Sequence, residues 1–201
     1  MCADDYITVN SFKCSVHPLL QFGRVAQKSG WNREKLQINQ DLNLGDYIAE
    51  HLLRFVSKLF DKDGSGDPLY APTYLREKGI NNVPIMNYRG NRVNTIFHNA
   101  AETFYISKHL INYITSSKST LNYTQHFILA VLKNDYVTSI CRALGIISKK
   151  VTWPYWRCAV DSDRNALNMG SIYEQLFDLL TNGANSQNLL ITNRLQLVIG
   201  P

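Results

Sequence analysis

From Arg92 to Thr115 the apolar residues Val93, Ile96, Phe97, Ala100, Phe104, Ile111 and Ile114 fall at helical spacing. At about 3.6 residues per turn, such spacing gathers side chains on one face. A stripe this long must be buried against other elements, and a chain built around it is a helical one. Asn91 stands where an N-cap oxygen is wanted.

The same periodicity predicts further helices. One follows Pro18, with Leu19, Leu20, Phe22, Val25 and Ala26 on a shared face and Gly30 as its stop. Another runs from Asp46, its cap, to Phe60, with Ile48, Leu52, Phe55, Val56 and Leu59 inward. Helices over 122–133 and 135–144 come next, the second closed by Gly145. A last helix begins at Ser171, where Ser171 and Glu174 form a capping box ahead of Ile172, Leu176, Leu179 and Leu180. Residues 6–9 are β-prone and open the option of one short N-terminal strand. Residues 79–90 are irregular. Trp153, Tyr155 and Trp156 surround Pro154, an aromatic group predicted to pack between elements. The expected fold is mostly α, a single irregular helical domain over residues 1–201.

Composition sets the class. A hydrophobic share of 45 % and an aromatic share of 11 % supply a core and exclude a disordered chain. The net charge is +5, which admits an anionic partner without demanding one. The excess is local: Arg76–Lys118 and Lys133–Arg157 each carry +4. The four cysteines, Cys2, Cys14, Cys141 and Cys158, are far apart and form no C-x-x-C, as in a reduced intracellular protein. The opening MCADDYITVN lacks the apolar segment of a secretory signal, and no run approaches the roughly eighteen apolar residues of a membrane span. The expected setting is intracellular, without membrane insertion.

Asp61–Tyr70, DKDGSGDPLY, begins as an EF-hand loop does. Position twelve of such a loop supplies a bidentate Glu, and here it is Pro72. The stretch reads as a Gly-rich connection, with weak calcium binding by Asp61, Asp63 and Asp67 as the alternative. His98, Glu102 and His109 share a helix line, but His98 and His109 lie about 16 Å apart along it, too far for one ion. His98 and Glu102 read as a pair. The acids Asp161 and Asp163 occupy a short DSD. There is no nucleophile elbow and no phosphate-cradling glycine loop. No catalytic residue, metal or cofactor is assigned, and a metal-dependent hydrolase is the reading with least behind it.

Two basic sets remain. Arg89 and Arg92, in YRGNR, stand at the start of the long helix, where free N–H groups and guanidinium forks suit a phosphate; the plainer alternative is solvated or paired arginines. Lys149, Lys150 and Arg157 surround Trp153 and Trp156, a mixture of charge and aromatics that suits nucleic acid; the plainer alternative is an aromatic core under a basic face.

A β-prone segment, then Cys14-x-x-His17, then an apolar helix and a long helical region resembles the middle of hAT-type DNA transposases. In that family a C-x-x-H motif follows the second catalytic acid, where an RNase H-like core gives way to a helical insertion. YRGNRVNTIFHNAAETFYISKHL and ALGIISKKVTWPYWRCAVDSD are also similar to multicopy transposon-derived animal proteins. The resemblance implies a role for Cys14 and His17 in holding the insertion or contacting DNA. Only Asp4 and Asp5 precede the motif, and neither Glu102 nor Glu174 stands out as a third acid, so it also implies an internal fragment or domesticated remnant that does not cleave DNA. The expected function is weak nucleic-acid binding, in the nucleus if the partner is DNA. The alternative is a helical scaffold for a protein partner or a second copy.

Overall fold

The computed structural model describes residues 17–37, 47–62, 66–82, 85–88, 94–116, 120–160 and 169–185. In chain order the elements are α1 (His17–Gln37), α2 (Ile48–Leu59), α3 (Tyr70–Glu77), α4 (Thr95–Ser116), α5 (Tyr123–Leu132) and α6 (Asp135–Ile147). A π-helical turn (Ser148–Thr152), α7 (Trp153–Ala159) and α8 (Gly170–Asn185) follow. The protein is mostly α, with no strand among the described residues. The β-prone segment at 6–9 and the caps Asn91 and Asp46 lie outside them. Nor is any described helix long and apolar enough to cross a membrane.

Helix α4 lies along α6, and α2 packs on α4 and α5, so these four helices enclose the main core. Leu52, Leu53, Val56 and Leu59 of α2 meet Ile106, Leu110 and Ile114 of α4, Ile128 of α5 and Leu144 of α6 inside it. Helices α5 and α6 start where short polar side chains satisfy their first N–H groups. Asn122 Oδ1 accepts from the Gln125 N–H at 2.9 Å while Gln125 Oε1 accepts from the Asn122 N–H at 3.1 Å. Asn134 Oδ1 accepts from the N–H groups of Tyr136 and Val137. A second apolar cluster joins Val151, Tyr155 and Cys158 to Met169, Ile172, Leu176 and Leu179 of α8. Phe22 and Ile147 pack against both clusters.

Several boundaries differ from the periodicity reading. Helix α1 runs through Gly30 to Gln37, because Gly30 faces the Tyr47 ring; a Cβ there would lie 2.3 Å from Tyr47 Cζ. Helix α6 runs through Gly145 for a similar reason, its close approach to Ala101 of α4. In α4 the buried line passes through Asn99 and Thr103 to Ile106 and Leu110, leaving Phe104 40 % exposed beneath the Arg142 guanidinium. Helix α8 starts at Gly170, so Ser171 lies inside its first turn, and Leu180 faces outward. Helix α3, eight residues with Pro72 in its first turn, has no counterpart in the apolar pattern.

Of the acids in the 61–70 stretch, Asp63 lies outside the described residues, and Asp61 and Asp67 have structural occupations. The Asp67 carboxylate accepts from the Tyr113 hydroxyl and from the Tyr70 N–H, and Asp61 accepts from Asn87 Nδ2. Nearby, Glu50 receives three donors: Gln27 Nε2 at 2.8 Å, Arg54 Nη2 at 2.6 Å and the Tyr88 hydroxyl at 2.9 Å. These bonds tie α1, α2 and the 85–88 segment together.

Burial, with the Glu50 bond and charge adding to it, pushes the Tyr88 phenol from 10.0 up to about 12. Burial and Asp67 push Tyr113 up in the same way. A raised phenol pKa means that the folded state favours the neutral ring. Its stabilisation is therefore complete below pH 10.0 and is lost as pH climbs through about 12. The melting temperature is expected to fall between those limits. Tyrosinate absorbance should show two tyrosines that ionise only as the fold is lost. A melting temperature that stays level over the interval contradicts this assignment.

Candidate functional site

Helix α6 does not stop at its apolar end but widens. The Trp153 N–H donates to the Ser148 carbonyl, five residues back, which defines the π turn. Pro154 gives a physical reason. It has no N–H for the Lys150 carbonyl, and its ring would crowd that carbonyl in an α-turn. A wider turn relieves both, and such insertions often mark functional positions.

The wide turn sorts the side chains. Val151, Thr152 and Tyr155 are buried, Val151 and Tyr155 in the second cluster. Lys149, Trp153 and Arg157 are exposed at four-residue steps, Trp153 by 48 %. Lys150, grouped with them on sequence, is only 5 % exposed and leaves the surface set. Trp156 is half-buried against the second cluster. The stripe is thus cation, indole, cation.

One end of the stripe opens into a cleft of about 320 Å³ between α4 and the π turn. Its lining is His98, Ala101 and Glu102 from α4, Gly145 from α6, Ser148 and Lys149 from the turn, and Trp153 from α7. The approach of α4 to α6 sets its floor: a Cβ on Gly145 would meet Ala101 Cα at 2.9 Å and Ala101 Cβ at 3.2 Å. The His98 and Trp153 rings lie 6.5 Å apart across it, tilted by 36°. Burial pushes the Glu102 carboxyl up from its ordinary 4.5, and the charge of His98 opposes that. A partly buried carboxylate residue, a lysine and a tryptophan thus line one small space.

Cys14, Arg89, Arg92, Asp161 and Asp163 lie outside the described residues; His17 opens α1, and its side chain is outside them too. Cys141 belongs to the main core and Cys158 to the second cluster, and neither is in a disulfide. Among the described residues no three His, Cys, Asp or Glu side chains are placed to hold a metal ion. On sequence, His98 pairs with Glu102 at helical spacing and Trp153 stands apart from both. What joins them is the helix crossing at Ala101 and Gly145, whose only sequence signal is two small residues.

No family model, curated protein or solved structure matches the chain.

Proposed function

We propose that this chain is a transposase-derived helical module that binds single-stranded nucleic acid, DNA first among the candidates, along Lys149, Trp153 and Arg157. One observation carries the reading: an indole nearly half exposed, with an exposed cation one helical turn to either side. Within α7 the four-residue step from Trp153 to Arg157 spans about 6 Å along the axis, and Lys149 lies across the π turn on the other side of the indole. An exposed aromatic stacks on a base while the flanking cations follow the backbone, the arrangement that serves unpaired strands. Arg89 and Arg92 stay in the proposal as further phosphate contacts. The transposase origin rests on the Cys14-x-x-His17 pattern and the two longer segments, and no catalytic step is assigned.

Trp153→Ala is expected to weaken binding of a labelled oligothymidine by roughly 5- to 150-fold, the effect of about 1–3 kcal/mol of lost stacking. Unchanged affinity in the folded variant contradicts the role given to Trp153.

A second reading, an oligomerisation scaffold, has one observation behind it. Helix α8 exposes Phe177 by 70 % and Leu180 by 41 % on neighbouring turns. Light scattering that reports a monomer at every concentration argues against it.

A further inference from the structure

The cleft beside the stripe has a chemistry of its own. It is small, about 320 Å³, at the lower end of ligand pockets, which run from roughly 300 to 1,000 Å³. That suits a single base better than a longer ligand. Ala101 and Gly145 are the small residues of the lining, and Trp153 contributes an indole to it. We propose that the cleft takes one unstacked guanine of a bound strand, with the base on the Trp153 indole and its N–H edge on the Glu102 carboxylate. This deepens the single-strand reading and rests on it.

The choice of base follows from donors and acceptors. Glu102 is the carboxylate in the lining, and an ionised carboxylate accepts only, through two oxygens. Guanine carries two adjacent N–H donors, on N1 and on the 2-amino group, which one carboxylate can span. Adenine and cytosine offer an amino group beside a ring acceptor, and that acceptor would face the second carboxylate oxygen. Thymine offers one N–H between two carbonyls. A partly desolvated carboxylate gains more from two good donors than a solvated one does. Lys149, on the cleft rim, is placed for the phosphate next to the base.

The probes are oligothymidines with a single central guanine, inosine, adenine or no replacement, titrated against the full chain by fluorescence anisotropy. Inosine lacks only the 2-amino group. The guanine strand is expected to bind roughly 5- to 150-fold tighter than the others, the discrimination of one bidentate base contact. Glu102→Gln should abolish that preference, read as the ratio of guanine-strand to inosine-strand affinity within the variant. Equal binding of guanine and inosine strands, or a preference that survives in Glu102→Gln, overturns the inference. If all strands bind alike, the guanine assignment fails and the single-strand reading stands. If none binds to the folded chain, both fail. The inosine comparison needs no variant, so a misfolded Glu102→Gln leaves the proposal open to refutation.

Discussion

Asn99→Ala is expected to lower the melting temperature by about 6–12 °C, on a loss of roughly 3 kcal/mol in a chain of this size. Asn99 is fully buried in α4 and serves as a backbone partner for an irregular segment. Its Oδ1 accepts the Met86 N–H at 2.9 Å, and its Nδ2 donates to the Met86 carbonyl at 2.8 Å. The Ser57 hydroxyl adds a bond to that carbonyl at 3.0 Å and accepts the Tyr88 N–H at 2.7 Å. The Met86 N–H and carbonyl and the Tyr88 N–H are therefore met by side chains where a strand would use a neighbour. Alanine leaves the Met86 N–H without this partner and opens a void. This donor is part-buried, so losing its partner falls at the lower end of about 1–3 kcal/mol, and the void left by the fully buried Asn99 side chain adds to that. The better helix propensity of alanine returns at most about 0.7 kcal/mol, so the loss dominates. Asn99→Asp should also destabilise, because it turns an acceptor towards the Met86 carbonyl. A melting temperature for Asn99→Ala within about 2 °C of the parent contradicts this account.

The second large effect is expected at Gly145. Gly145→Val should destabilise by about 2–4 kcal/mol and weaken nucleic-acid binding as well. The Cβ alone would sit 2.9 Å from Ala101 Cα, a backbone atom that no rotamer change can move aside. The two further valine carbons must then force α4 and α6 apart. Opposing this, a helical glycine replaced by a better helix former gains up to about 1 kcal/mol. Gly145→Ala is therefore expected to sit nearer to neutral, with strain and propensity in opposition, while valine falls clearly on the side of strain. Separation of the helices would also shift His98 and Glu102 against Lys149 and Trp153. Denaturant melts and oligothymidine affinity measured on both variants test the two consequences together. A valine variant as stable as the parent would show that the crossing is not close.

The helical class was legible because α2 and α4 carry long apolar stripes, and their phase survives most local exceptions. The inner line of α4 bypasses Phe104 because it runs through Asn99 and Thr103, polar residues that a hydrophobicity pattern discards. Gly30 and Gly145 read as stops for a related reason. Glycine at a helix end and glycine at a close approach look the same in one dimension, and only the partner, Tyr47 or Ala101, tells them apart. Of the candidate site, Lys149, Arg157 and the aromatics around Pro154 were visible as a basic, aromatic stretch. That Lys150 turns inward was not visible, since it depends on a π turn that shifts the register by a residue. Nor was the cleft, which joins residues about fifty apart in sequence through the crossing of two helices.

The most direct test of nucleic-acid binding is its salt dependence, measured by anisotropy of a labelled oligothymidine of about ten nucleotides with the parent chain, Trp153→Ala and Lys149→Ala/Arg157→Ala. For single strands the slope of log affinity against log salt changes by about 0.7 for each phosphate that the protein no longer neutralises. The account predicts a slope shallower by about 1.4 in the double variant, and weaker binding with an unchanged slope in Trp153→Ala. The same slope in all three proteins, or no binding at low salt by the folded parent, would contradict it.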